Sequence, residues 1–283
     1  MAQRRRNLRP RRARVRRGVA PLAAATPSAV TGGGPLARVV LLALVATAGL
    51  VASVTIRPEL PWLPWLTALL VALGTDGIVR RHPAWSGGPF DATVSTFLPA
   101  LSVLGAALFI DHAVEGYARP ALAVLAALSV GIVAFGEYQT VDVRAHLYGP
   151  FRLIMAVATY LVAFSFYAVL FTRDDPLPLA SLAVGAVSML LALELLRESR
   201  LTGPSSFLVS IAIGISLAEL RLALYFFPLD GILAGALLII AFYLATGIVH
   251  HLLDHDLEWA TAAEYAVVTV VASAAVIFAR AFA

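Results

Sequence analysis

Two histidines and a carboxylate stand close together in the segment HHLLDHDLE, residues 250–258. His251 and His255 are four residues apart and would share one face of a helix, with Asp254 beside them. Imidazole nitrogens and carboxylate oxygens are ligands that zinc and non-haem iron accept in proteins. The spacing therefore predicts a metal site, and a separate histidine, His146, is a fourth candidate ligand.

Four charged residues lie inside long apolar segments, where an ionised group costs at least about 3 kcal/mol. Glu219 lies deep in ISLAELRLALYFF, and Arg221 follows it by two residues, on roughly the opposite side of a helix. We expect Glu219 to face the protein interior and Arg221 to extend towards water. Glu137 and Glu194 lie a turn or more inside the ends of their segments. The four predict a proton or cation site for transport, and the alternative is a role in helix packing alone.

Other polar residues fall near the ends of the same apolar segments. Asp142 and His146, like Glu194 and Glu198, are spaced to share a helix face. Together with the histidine segment they predict an acidic and histidine-rich site at one end of the protein. The simpler alternative is that charged residues and histidines occupy helix ends because water reaches them there.

The elements that must position these residues are long and apolar. The 283 residues are 60% hydrophobic and 13% charged, against about 45–50% and 25% in soluble domains. Continuous runs of about 20 apolar residues indicate transmembrane helices, whereas a barrel would show short alternating segments. The sequence predicts an all-α, polytopic integral membrane bundle of about nine helices, with spans at 36–56, 60–79, 90–111, 119–139, 151–172, 177–197, 205–227, 230–250 and 259–282.

The first 35 residues form a separate, basic region. Nine arginines and no acid occur in residues 1–18, and the composition predicts a disordered tail that contacts anionic lipid headgroups. The alternative is that these arginines are solvated and serve only to set the orientation of the first helix. Residues 36–283 form the transmembrane domain. An alternative is that the first apolar segment is a signal peptide cleaved near Ala46-Thr47-Ala48.

Arginines also predict the orientation. With the N-terminus in the cytoplasm, paired arginines fall in the inner turns and single ones in the outer turns, as the positive-inside rule requires. The inner pairs are Arg80 with Arg81, Arg144 with Arg152, and Arg197 with Arg200. The chain is therefore expected to be a multi-pass protein of a bacterial cytoplasmic membrane. Successive hairpins with an acid near a proline in the outer turn further suggest a hairpin repeat.

Several functional classes are excluded by composition. The chain has no cysteine, and all 21 basic residues are arginine, so disulfides, thiolate metal sites and lysine Schiff bases cannot form. The turns lack the paired aspartate motifs of intramembrane prenyltransferases, and six histidines are too few for the boxes of membrane di-iron hydroxylases. The sequence contains no phosphate-binding loop and no nucleic-acid module, and it identifies no cofactor.

Three functional hypotheses follow. The leading one is a small secondary transporter or permease, because the chain is compact and carries charged residues within its spans. The second is an intramembrane enzyme whose cytoplasmic-face site contains His251, Asp254, His255, Glu137 and Glu194. The third is a non-catalytic subunit or scaffold, which forms a homo-oligomer or joins a larger membrane complex.

Overall fold

The computed structural model describes residues 34–56, 60–173, 175–198, 203–227, 229–254 and 257–280, and these residues contain helices and no strand. The basic tail, apart from its last residues, lies outside the described ranges. The helices are α1 (Pro35–Ile56), α2 (Leu63–Val79), α3 (Pro89–Ala113), α4 (Ala118–Gln139), α5 (Tyr148–Thr172), α6 (Leu177–Leu195), α7 (Gly203–Leu224), α8 (Gly231–Asp254) and α9 (Trp259–Arg280), with a short 3₁₀ turn at Leu196–Glu198 after α6.

The predicted polytopic helical bundle is confirmed over the described residues. Eight of the helices are long and apolar enough to cross a membrane, and α2 is shorter at 17 residues. Four boundaries differ from the sequence prediction by three or four residues: α2 begins at Leu63 and α5 at Tyr148, and the ends of α7 and α8 also differ. Helix α7 ends at Leu224 because Tyr225, Phe226 and Phe227 form a turn ahead of a proline, and α8 continues to Asp254 because no helix-breaking residue follows position 250.

Successive helices run antiparallel. In α1 and α2, for example, Gly49 lies against Thr67 while Leu42 lies against Gly74. Helices α1, α3, α5 and α7 therefore begin at the same end of the bundle, where α2, α4, α6 and α8 finish. We call this the arginine-rich end, because it carries Arg80, Arg81, Arg144, Arg152 and Arg197.

The helices pack as two similar groups of four. In the first half (residues 35–139), α1 packs most extensively on α4 and α2 on α3; in the second half (residues 148–254), α5 packs on α8 and α6 on α7. Helices α3 and α4 join the halves through contacts with α5 and α6. Helix α9 packs on α8 and has no buried residue.

A sequence period of 115 residues accompanies this arrangement. Gly34-Pro35 and Gly88-Pro89 mark the starts of α1 and α3, and Gly149-Pro150 and Gly203-Pro204 follow each of them by 115 residues. Proline suits the first turn of a helix because the first N–H groups have no helical partner there. Helices α4 and α8 also end 115 residues apart, at Gln139 and Asp254. The spacing indicates a repeat whose unit is four helices, and the hairpin repeat suggested by the outer turns stays a prediction.

Helices α6 and α7 approach each other through two glycines. A Cβ atom on Gly214 would lie 2.6 Å from the carbonyl oxygen of Gly185, and one on Gly185 would lie 2.9 Å from that of Gly214. Close contact through small residues is a common way for membrane helices to associate, since lipid supplies no hydrophobic force between them.

We therefore expect Gly214→Ala to destabilise the protein by about 1–3 kcal/mol, because the backbones must separate to admit the methyl group. Gly77→Ala is the matched control, since nothing lies within 4 Å of its added Cβ. Thermal unfolding in detergent, followed by tryptophan fluorescence, measures both. Equal melting temperatures for the two variants would contradict the tight α6–α7 contact.

Candidate functional site

Four charged side chains meet inside the arginine-rich end of the bundle. Glu137 belongs to the last turn of α4, Arg152 to the first turns of α5, Glu194 to the end of α6, and Arg197 to the 3₁₀ turn. We call these four residues the charged network. The Glu137 and Glu194 side chains are 0% and 1% exposed, while those of Arg152 and Arg197 are 15% and 22% exposed.

Arg197 contacts both carboxylates. Its Nη1 donates a hydrogen bond to Glu137 Oε2 at 2.7 Å and lies 3.3 Å from Glu194 Oε2. Its Nη2 donates to the Thr140 hydroxyl at 3.3 Å. Because Glu137 belongs to the first half and Glu194 to the second, Arg197 connects the two halves through paired charges.

Arg152 holds Glu194 from the other side. Its Nη1 donates to Glu194 Oε1 at 3.3 Å, and its Nη2 donates to the backbone carbonyls of Glu194 and Leu195 at 3.4 and 3.0 Å. The last carbonyls of a helix have no partner within the helix and carry its negative dipole. The guanidinium of Arg152 therefore stabilises the end of α6 as well as the Glu194 carboxylate.

The network is balanced in charge but incompletely hydrogen-bonded. Two guanidinium groups face two carboxylates, as buried ions require, because an unpaired ion in a low-dielectric interior costs several kcal/mol. Glu137 Oε1, however, is buried and has no hydrogen-bond partner among the described residues. A polar atom of this kind is suited to accept a proton or to bind a polar solute.

Two cavities border the network. One, of about 190 Å³, is lined by Glu137 and Arg197, with other polar side chains from Asp91, Ser95 and Thr140. The other, of about 210 Å³, is lined by Arg152 with Tyr160, Thr246, His250 and Tyr265. The charged network therefore borders one cavity through Glu137 and Arg197 and another through Arg152.

The structure brings together two of the acids that the sequence singled out, Glu137 and Glu194. Sequence reasoning used Arg152 and Arg197 only to orient the chain and missed their place beside these acids. A signal for one of them was present, because Arg197 follows Glu194 by three residues and so lies close to it on a helical turn.

In the structure, Glu219 and Arg221 face the sides of α7 opposite to those expected from the sequence. Arg221 is buried, 3% exposed, whereas Glu219 is exposed on the outer face of α7. The guanidinium of Arg221 lies 3.9 Å from the centre of the Phe171 ring and donates to the Leu170 carbonyl at 3.3 Å. This cation–π contact favours the inward position of the arginine. Glu219, about 200° away around the helix, must then point outward.

The histidine candidates do not form a group in the described part of the chain. His146 is exposed in the loop between α4 and α5. The expectation that Asp142 and His146 share a helix face is therefore wrong, because neither residue is helical. Asp142 instead accepts a hydrogen bond from the backbone N–H of Arg144 at 3.0 Å. The His251 ring lies 5.8 Å from that of Tyr265.

The remaining predicted ligands cannot be compared with the structure. His255 and the side chains of Asp254 and Glu198 lie outside the described residues. Among the residues that are described, no cluster of three or more histidine, aspartate or glutamate side chains could hold a metal ion.

Comparison with known proteins gives a family but no activity. A family model described as a protein of unknown function (DUF5656) matches residues 40–279, and the chain belongs to this family. The matched region includes α2 to α8 in full and every member of the charged network. No curated protein matches the chain, and no solved structure matches it.

We expect Arg197→Leu to destabilise the protein by about 3–5 kcal/mol, because it leaves two buried carboxylates facing each other with one cation fewer. The measurement is unfolding in mixed micelles by titration with a denaturing detergent.

Arg80→Leu is the control for this substitution. Arg80 also pairs with a carboxylate, Asp76, at 2.7 Å, but its side chain is 47% exposed, and exposed pairs contribute at most about 1 kcal/mol. If Arg197→Leu is no less stable than Arg80→Leu, the buried network does not link the halves.

Proposed function

We propose that this member of the DUF5656 family is a small secondary transporter whose solute and proton sites are built around the charged network. The observation that carries the proposal is the buried Glu137 carboxylate, which borders a cavity with one oxygen unpartnered. Ionisable groups inside membrane proteins commonly belong to substrate pathways and proton relays.

The position of the network between the two halves supports this function. Transporters built from two parallel repeats place their binding sites where the repeats meet and work by rocking one repeat against the other. In this chain Arg197 joins Glu137 of the first half to Glu194 of the second. Protonation of Glu137 would remove one of these attractions and leave Arg197 paired with Glu194 alone.

A cycle follows from this exchange of partners. With Glu137 ionised, Arg197 holds α4 and the end of α6 together and closes the arginine-rich end. With Glu137 protonated, or with a polar solute competing for Arg197, the link weakens and the halves separate at that end. Proton binding and solute binding are then coupled because both act on the same guanidinium.

We expect Glu137→Gln to reduce transport current at least tenfold without unfolding the protein, because glutamine keeps the size of the side chain and removes the titrating oxygen. The assay is solid-supported membrane electrophysiology on proteoliposomes, with jumps in pH and in a panel of small anions, cations, amino acids and sugars. Asp76→Asn, which removes a partly exposed carboxylate at the same end that belongs to a separate ion pair with Arg80, should retain the wild-type current.

Two results of this assay would contradict the proposed transport function. If no solute in the panel and no pH jump gives the wild-type protein a current above that of empty liposomes, the network is not a transport site. If Asp76→Asn and Glu137→Gln lose current equally, Glu137 has no special role.

An intramembrane enzyme is the second candidate, and the cavity beside Arg152 favours it. His250 lines that cavity together with the hydroxyl-bearing Tyr160, Thr246 and Tyr265, and the Tyr160 and Thr246 hydroxyls are hydrogen-bonded at 3.2 Å. A histidine beside hydroxyl groups and a guanidinium provides a proton carrier and an anion-binding group.

The metal form of this hypothesis has a direct test. If His251 and His255 hold a catalytic metal with Asp254 or His146, the purified full chain should contain close to one zinc or iron per molecule. Elemental analysis of the wild-type protein and of a His251→Ala/His255→Ala variant measures this. Equal metal content in the two proteins, or none in the wild type, would exclude a site at these residues.

A further inference from the structure

A groove at the arginine-rich end opens between α1 and α2. It has a volume of about 350 Å³, and its lining consists of apolar side chains and glycines, with Arg38 and Arg81 as the charged residues within the described part of the chain. Helix α2 contributes residues 70, 73, 74, 77 and 78, which recur at helical spacing and so share one face, and Arg81 follows just beyond its end.

This groove is open towards the lipid. Three of the leucines in its lining are strongly exposed, with Leu41 at 63%, Leu70 at 45% and Leu73 at 62% of their surface. Gly77 adds to the opening, because a Cβ placed on it would meet no atom within 4 Å. The part of the groove that extends away from Arg38 and Arg81 is therefore an apolar channel of the kind that an acyl chain can fill.

Two guanidinium groups, those of Arg38 and Arg81, lie at the mouth of the groove. Arg38 lies in the first turns of α1, and Arg81 follows α2 by two residues. Within the described part of the chain neither guanidinium forms an ion pair, and the nearby Asp76 carboxylate is held by Arg80 at 2.7 Å.

The two halves carry different charges near this groove. In the second half Arg152, near the start of α5, is neutralised by Glu194 of α6. The residue 115 positions before Glu194 is Val79, so α2 supplies no carboxylate at the corresponding place. The residue 115 positions after Arg38 is Leu153, so Arg38 is not the equivalent of Arg152 but an arginine that the first half adds beside Arg81.

We propose that an anionic phospholipid occupies the α1–α2 groove, with its phosphate between Arg38 and Arg81 and an acyl chain along Gly74 and Gly77. The bilayer is the source of both parts of this ligand. The headgroup supplies a negative charge beside Arg38 and Arg81, and the acyl chain covers the apolar lining. This inference is independent of whether the protein transports or catalyses.

The test is native mass spectrometry of the delipidated full chain, titrated with phosphatidylglycerol or phosphatidylcholine of identical acyl chains. The wild-type protein should bind phosphatidylglycerol at least tenfold more tightly, since each arginine near an anionic headgroup contributes about fivefold in affinity. The Arg38→Gln/Arg81→Gln variant should bind the two lipids equally. Arg144→Gln, an exposed arginine at the same end, should keep the wild-type preference.

A second variant tests the groove itself. Gly77→Leu fills the apolar channel and should weaken the binding of both lipids, whereas the arginine variant removes only the headgroup preference. The proposal is overturned if the double arginine variant keeps its preference, or if Arg144→Gln loses it equally, which would indicate diffuse surface charge. It is also overturned if Gly77→Leu leaves both affinities unchanged, or if millimolar inorganic phosphate displaces the lipid completely.

Discussion

The shared guanidinium of Arg197 is the interaction on which the arrangement of the two halves depends. It lies between the carboxylates of Glu137 and Glu194, which are almost fully buried. In a low-dielectric interior, none of these three groups can be left alone without a cost of several kcal/mol. Their pairing therefore fixes the end of α4 against the end of α6. The 3₁₀ turn after α6 is part of this constraint, because it carries Arg197 back towards α4.

The same four-helix frame is used twice, but with different charges. Gly-Pro pairs begin the odd-numbered helices of both halves at a constant spacing, so the backbone plan is repeated. Glu194 has no acidic counterpart at Val79, and Arg221 has the small residue Ala106 at the corresponding position in α3. Each half thus buries one carboxylate, Glu137 in the first and Glu194 in the second, but at positions that do not correspond, since Glu137 has Leu252 as its counterpart.

The sequence was sufficient to predict the helices but not how their faces pair. Hydrophobic length alone identifies membrane helices, because unpaired backbone groups are excluded from lipid and each helix satisfies its own. The burial of Glu137 and Glu194 followed from the same reasoning. The inward position of Arg221 did not, because the usual expectation that arginine extends to water ignores a partner such as Phe171 on another helix. Arg152 also reaches Glu194 across 42 residues of sequence, a contact that only packing creates.

A network of two buried carboxylates and two partly buried guanidinium groups is not the most stable way to join two apolar halves. Well-packed hydrophobic residues of similar volume are often equal or better in stability, so buried ion pairs are weak evidence for a purely structural role. In this network the pairing is also incomplete, since Glu137 Oε1 has no hydrogen-bond partner among the described residues and borders a cavity. The buried network at the contact of the two halves therefore fits the transport function proposed above, in which an exchange of partners at Arg197 accompanies their relative movement.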